Sequence, residues 1–325
     1  MKRLRLRPIV EGATDLGLDA ILDLPEAKQA IAAWGVKTMS PPSPAAARSP
    51  AGWSARCGVV VCERKPNQPR IEPRSLAYPP QMRLTVIGGS GGYPGQGRPC
   101  SGYLVEADGF TLLIDPGYGV ATALSAGSWP SFDAVLVSHA HPDHCADLNP
   151  LLRARAWADA LLPALPIYAL PGALEAVLAL DRPEVLAGSY TLNDIEPGKW
   201  TIGPFQILTA PLPHPRPNIG FRISAGGRSL VYTGDCGPSD ELVHLADGAD
   251  LLLAEASYAE VVPPEIVGAL SSAIDVGREA RKAGVRHLVL THLMPKTNEA
   301  DAIAAAARSF TGPISVARPG LVVEV

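Results

Sequence analysis

Nowhere does this chain run apolar for long. Hydrophobic residues fill 47% of its 325 positions, yet no stretch approaches the roughly 20 that a helix needs to cross a bilayer. No membrane partner is therefore expected. Cysteine is scarce, with five residues at Cys57, Cys62, Cys100, Cys145 and Cys236. So few, odd in number and scattered, they make no disulfide framework, and Cys57 and Cys62 lack the second Cys/His pair of a zinc ribbon. Cys145 and Cys236 are expected to pack as small apolar side chains. The charged start, Met1-Lys-Arg-Leu-Arg-Leu-Arg-Pro, leads into Glu11-Gly-Ala-Thr-Asp15 rather than an apolar core. It does not read as a secretory signal. Together these features predict a reducing, cytoplasmic setting.

Positive charge is lacking where a long nucleic acid would need it. Residues 1–81 carry 12 Lys and Arg against 7 Asp and Glu, whereas residues 82–325 carry 16 against 25. Phosphate contacts supply most of the affinity for such polymers, so none is expected as a partner. A small anionic substrate remains compatible, because bound cations can meet its charge locally. The two parts also differ in texture. Pro41-Pro-Ser-Pro-Ala-Ala-Ala-Arg-Ser-Pro50 and Lys65-Pro-Asn-Gln-Pro-Arg70 are linker-like, and only residues 15–35 suggest a short helix. Residues 1–81 thus read as an N-terminal extension, either disordered or the product of a wrongly chosen start. One domain is expected over residues 82–325, opening with the alternating strand Arg83-Leu-Thr-Val-Ile87.

Histidine is rare as well, with seven in the chain, and three of them fall in Ser138-His-Ala-His-Pro-Asp-His-Cys145. Upstream, Ala134-Val-Leu-Val137 reads as a buried strand. Residues at i and i+2 of an extended segment face the same way, so His139 and His141 can bind one ion together. The chain then turns at Pro142, which frees Asp143 and His144 to face a second ion. Imidazole and carboxylate form the ligand set of zinc and its first-row neighbours. Downstream stand His214 in Pro211-Leu-Pro-His-Pro215, Asp235 after Val231-Tyr-Thr-Gly, and His292 after His287-Leu-Val-Leu-Thr. Each alone is an ordinary strand-end or turn residue. Glu255 closes the apolar run Leu251-Leu-Leu-Ala, at a sheet end where it could orient a ligand or a water. His287 has the opposite strand parity to His292, and His244 lies on an expected helix; both read as structural.

The rest of the domain interleaves strands and helices. Strands are expected near 83–88, 101–107, 110–114, 205–210, 219–224, 229–233, 250–254 and 321–325. Helices are expected over 146–160, 171–180, 237–246, 271–283 and 298–309. The loop Gly88-Gly-Ser-Gly-Gly-Tyr-Pro-Gly95 fails the dinucleotide pattern, since Pro94 stands where the third glycine belongs. It reads equally as a tight turn or as a lining of the substrate mouth. The order of elements is compatible with two sheets packed between helices.

In order, Asp115 in Leu-Leu-Ile-Asp-Pro-Gly, then His139, His141, Asp143, His144, His214, Asp235 and His292, resemble the motif of the metallo-β-lactamase-fold hydrolases. Leu84-Thr-Val-Ile-Gly-Gly-Ser-Gly, Pro99-Cys-Ser-Gly-Tyr-Leu-Val105, Ala254-Glu-Ala-Ser-Tyr258 and Thr291-His-Leu-Met-Pro295 most resemble the ribonuclease Z-like branch and its small cyclic phosphodiesterases. The resemblance spans residues 82–325. It implies an α/β fold of the αββα sandwich type, two mixed β-sheets flanked by helices. It also implies two divalent ions, zinc first, with manganese or iron(II) compatible. His139, His141 and His214 would hold one ion; Asp143, His144 and His292 would hold the other, with Asp235 bridging and Asp115 structural.

Two such ions about 3.5–4 Å apart can lower the pKa of a shared water and clamp both oxygens of a displacement. Asp143 and Glu255 are the candidate catalytic carboxylates, Asp143 as proton acceptor and Glu255 as a group that orients. Twenty residues lie between His214 and Asp235, where transfer-RNA-processing members of the branch insert a long arm. The phosphodiesterase relatives carry a further His before the penultimate helix, whereas this chain reads Gly268-Ala-Leu-Ser-Ser-Ala273. Ala269 or Leu270 takes its place, so Asp143, Ser272 or water must protonate the leaving group. The expected activity is hydrolysis of a small, cyclic nucleotide-like phosphodiester. Lactone, carboxylic ester or sulfate ester hydrolysis, transfer-RNA 3′ processing and a non-catalytic metal scaffold compete with it. A small anionic molecule is the expected partner, and a homodimer is left open.

Overall fold

Residues 82–125, 132–159 and 162–325 are described by a computed structural model; the expected extension over 1–81 and its helix at 15–35 lie outside them. Among the described residues there are fourteen strands: β1 (Arg83–Gly88), β2 (Gly102–Ala107), β3 (Phe110–Ile114), β4 (Ala134–Leu136), β5 (Leu165–Ala169), β6 (Tyr190–Asp194) and β7 (Gly198–Ile202), then β8 (Phe205–Leu212), β9 (Asn218–Ala225), β10 (Arg228–Tyr232), β11 (Leu251–Glu255), β12 (His287–Thr291), β13 (Ile314–Val316) and β14 (Val322–Glu324). They form two seven-stranded sheets, ordered β14-β1-β2-β3-β4-β5-β6 and β13-β12-β11-β10-β9-β8-β7. Each sheet carries three antiparallel pairings followed by three parallel ones. The C-terminal strand crosses back to pair with β1, so both ends of the described chain sit at one sheet edge.

Strand alternation explains the layers. Leu112 and Ile114 of β3 and Leu251 and Leu253 of β11 face the inter-sheet core, with Tyr103, Phe205, Phe221 and Tyr232. Their neighbours Leu113 and Leu252 point outward into two further apolar clusters. One lies beneath the helices Val120–Ser125 and Leu148–Ala156, the other beneath Ala273–Lys282 and Glu299–Ala306. Every residue of β11 is buried, as a central parallel strand covered on both faces requires. The result is the expected αββα sandwich. Among the described residues no helix is long and apolar enough to cross a membrane.

Helix boundaries follow the capping chemistry. Ser272 and Asp275 form a reciprocal capping box ahead of Ala273–Lys282, Asn298 caps Glu299–Ala306 and Ser239 caps Asp240–Leu245. These caps place the starts one to three residues inside the expected ranges. The helix expected over 171–180 is confined to Glu175–Leu178. Strands β5, β6, β7 and β13 were not expected from the sequence: Pro166 interrupts the first, and β6, β7 and β13 are edge strands with partly exposed, weakly alternating residues.

Candidate metal centre

Connections at the carboxyl ends of the parallel strands bring the chemistry together, as open α/β sheets commonly do. Strand β4 ends at Leu136, and the turn that follows begins a single helical turn, Pro142–Cys145. His141 precedes it in extended conformation, with Pro142 at the first helical position. That geometry points His139 and His141 at one spot, with His139 Nε2 3.0 Å from His141 Nδ1. Asp143 and His144 emerge from the helical turn one step further along. The short β8–β9 connection adds His214, whose Nε2 lies 3.2 Å from the same His141 Nδ1. Asp235 follows β10, and His292 follows β12.

Two groups of possible ligand atoms result, each within 4.8 Å of one another: His139, His141, His214 and Asp235, and Asp143, His144, Asp235 and His292. Asp235 belongs to both. Its Oδ1 lies 3.1 Å from His144 Nε2 and 3.2 Å from His292 Nε2, while Oδ2 lies 3.8 Å from His139 Nε2. All seven expected ligand residues therefore meet in one place. His244 and His287 join neither group; His287 is hydrogen-bonded to Ser315 at 3.0 Å and His244 is exposed on its helix.

The donor set fits divalent cations. His144 Nε2 and Asp235 Oδ1 are buried and make no hydrogen bond, an arrangement that costs stability unless another partner is supplied. Burial lowers the His139 pKa well below its ordinary value, which favours the neutral imidazole that binds metal. Burial alone would depress His144 too, but the Asp235 and Asp115 carboxylates more than offset it and hold the ring well above the usual range. Asp235 and Asp143 shift downward despite their burial, through the charges of His144 and His292 and the hydrogen bond from His292 to Asp143.

Supporting residues orient these rings. Asp115 accepts the Ser138 amide at 2.7 Å and the Ser138 hydroxyl at 2.6 Å, His144 Nδ1 at 2.8 Å and the Tyr232 hydroxyl at 2.7 Å. Ser138 Oγ also lies 3.0 Å from His139 Nδ1. His214 Nδ1 donates to the Ala269 carbonyl at 2.9 Å, and His292 Nδ1 is hydrogen-bonded to Ser257 Oγ at 3.0 Å. Asp115 and His292 hold positive φ angles of 49° and 55°, strained for residues other than glycine. Glu255 is 1% exposed. Burial and the neighbouring Asp235 charge push its carboxyl up to about 7.

The glycine-rich loop lies against the ligands. Gly92 N–H donates to Asp143 Oδ2 at 2.8 Å, and a Cβ at Gly91 would come within 2.3 Å of the His292 carbonyl oxygen. The loop thus does more than turn the chain. Gly92 belongs to the glycine-rich loop that the sequence singled out, whereas Ser138, Ser257 and Tyr232 were given no role from the sequence, although Ser138 and Ser257 stand in segments quoted there.

The family model described as Beta-lactamase superfamily domain matches residues 111–293, a span that contains both ligand groups. The chain belongs to the metallo-β-lactamase superfamily. It is 37% identical over 248 residues to an uncharacterised protein of Mycobacterium leprae, covering 72% of this chain and 85% of that one. Ribonuclease Z of Mycobacterium bovis is 34% identical over 268 residues, covering 72% of this chain and 95% of its own length. The Bacillus subtilis protein named Probable metallo-hydrolase YhfI is 34% identical over 249 residues, covering 75% and 100%. Its crystal structure superposes with a TM-score of 0.69 at 31% identity, covering 76% of this chain and all of that one. The ribonuclease Z-like resemblance is thereby borne out. Within this superfamily frame, the segment lacking the helix histidine lies beside His214, since the carbonyl that His214 binds is that of Ala269.

Proposed function

We propose that this metallo-β-lactamase-fold protein is a two-metal hydrolase of small phosphodiesters, cyclic nucleotide-like in form, working in the cytoplasm. The observation that carries the two-metal reading is the shared position of Asp235 between two four-residue ligand groups. His139, His141 and His214 would hold one ion, Asp143, His144 and His292 the other, with Asp235 bridging. Zinc suits this mixed imidazole and carboxylate set, and manganese or iron(II) also accept it. When bound, the ions would activate water and neutralise charge developing on the phosphoryl group.

The chain's own residues define the remaining steps. Among the described residues the hydrogen bonds to Asp143 fall on Oδ2, from Gly92 and His292. Oδ1 would then take the proton of the attacking water. Ser138, Ser257 and the Ala269 carbonyl lock the ring orientations of His139, His292 and His214, so little reorganisation accompanies the reaction. Support for a small substrate comes from the β8–β9 connection, which spans only Pro213 to Pro217, and from the acidic balance of residues 82–325. Metal-loaded protein should turn over bis(p-nitrophenyl) phosphate and cyclic nucleotides. No turnover of any phosphodiester sinks this reading.

One observation favours a second reading. With Ala269 beside His214 there is no imidazole at that position to protonate a poor leaving group. Lactone, carboxylic ester or sulfate ester hydrolysis would suit such a site, and turnover of those esters orders of magnitude above that of phosphodiesters would establish it.

A further inference from the structure

The Glu255 carboxylate is hydrogen-bonded in a way that its position in a catalytic site does not require. Oε1 accepts the Ser257 amide at 2.9 Å. Oε2 accepts the Ser271 amide at 2.9 Å and the Cys236 amide at 3.3 Å. Each amide belongs to a segment that holds a different candidate ligand. Cys236 directly follows Asp235. Ser257 carries the hydroxyl bonded to His292 Nδ1. Ser271 lies two residues beyond Ala269, whose carbonyl receives His214 Nδ1. The strand register reinforces the arrangement, because Glu255 pairs with Thr291, the residue before His292. The Glu255 amide is itself tied to Thr233 Oγ1 at 3.0 Å, two residues before Asp235.

We propose that Glu255 is a positioning residue that sets Asp235, His292 and His214 relative to one another and carries no proton in the reaction. An ionised carboxylate has about four acceptor sites, and three of them meet backbone amides that cannot move without moving a ligand. Besides these amides, the Ser257 hydroxyl interacts with the Glu255 carboxyl while it is bonded to His292 Nδ1, so it too ties the carboxylate to a ligand. In the first sheet Asp115 also serves two candidate ligands, but through side chains: His144 directly and His139 by way of Ser138. The inference rests on the two-metal part of the proposed function and is independent of which ester is cleaved.

The test uses the full chain and its Glu255→Gln and Glu255→Asp variants. Gln turns a donor toward at least one of the three amides, and Asp is a methylene too short to reach all of them while keeping a titratable carboxyl. Positioning predicts that both variants fold, lose about 10–100-fold in zinc affinity and shift the visible absorption of the cobalt(II)-substituted protein. At saturating metal, their remaining activity should keep the wild-type pH profile. A proton-carrying role predicts the reverse: unchanged affinity and cobalt spectrum, lowered kcat, a lost limb of the pH profile and rescue by Asp. That result overturns the inference. Should neither variant fold, Ser257→Ala removes the hydroxyl that links Glu255 to His292, and is expected to weaken one of the two ions; two ions bound at wild-type affinity would overturn it too. A wild-type protein that binds no metal refutes the two-metal reading itself, a separate outcome.

Discussion

The two sheets build their halves of the centre in opposite ways. The first delivers His139, His141, Asp143 and His144 from one turn after β4. The second delivers His214, Asp235 and His292 from three separate connections, after β8, β10 and β12. One turn fixes its own spacing, because consecutive residues are joined by bonds of fixed length. Separate connections have their spacing set by strand order and register, and need ties between them. The buried carboxylates reflect this contrast. Asp115 grips one amide and two side chains of the turn after β4, and the Tyr232 hydroxyl of β10, whereas Glu255 grips backbone amides of three segments.

The sharpest way to break the comparison is to remove the residue on which both halves converge. Asp235→Ala should empty both positions and lower activity well beyond the roughly 10–100-fold loss typical of outer-layer partners. Metal analysis by plasma mass spectrometry checks it, and two ions per chain would refute the bridging assignment. Next, Asp115→Asn should damage mainly the half built from one turn, since only the Tyr232 hydroxyl ties it to the second sheet. Replacing a buried carboxylate that serves several donors typically costs about 3–5 kcal/mol, so denaturant unfolding of the metal-free variant should show a large loss.

His214→Ala sharpens the comparison from the other side. It removes one ligand of one group, so metal content should fall toward a single tightly held ion, with most activity lost. Two ions bound at unchanged affinity would show that His214 is no ligand.

A smaller effect concerns Glu279, a further buried carboxylate behind the second sheet. One oxygen accepts the Ser239 amide at 2.7 Å, and the other has no hydrogen-bond partner. Burial raises its pKa from 4.5 to about 7. The folded state therefore holds this proton more tightly than the unfolded state. The stability that the protonated form contributes is complete below pH 4.5 and is lost as pH rises through about 7. Glu279→Gln should match the wild type below pH 4.5 and exceed it at pH 8 by roughly 5–10 °C in Tm, since a rise of that size is worth about 3 kcal/mol and each ~1 kcal/mol moves the Tm of a domain of this size by about 2–4 °C. Thermal scans at both pH values decide it, and an equal Tm at pH 8 counts against the shift. The smallest expected effect is none at all: a chain starting at Met82 should keep its fold and metal content. Aggregation or metal loss would show that residues 1–81 pack on the domain.

The sequence by itself determined whatever is set by near neighbours. The spacing within Ser138-His-Ala-His-Pro-Asp-His-Cys145 made one half of the centre legible, because an extended pair and a proline turn dictate where four side chains point. Alternation and apolar runs marked most of the longer strands, and the starts of the capped helices were placed to within three residues. Tertiary structure alone decided the rest. His214, Asp235 and His292 are unremarkable in their local settings, and they meet only because β8, β10 and β12 end at the same edge of one sheet. That the glycine-rich loop donates an amide to Asp143, and that Glu255 gathers the amides of Cys236 and Ser271, depends on residues 51, 19 and 16 positions apart. Hydrogen bonds of that reach leave no periodic trace in the chain, since any residue except proline offers the same amide.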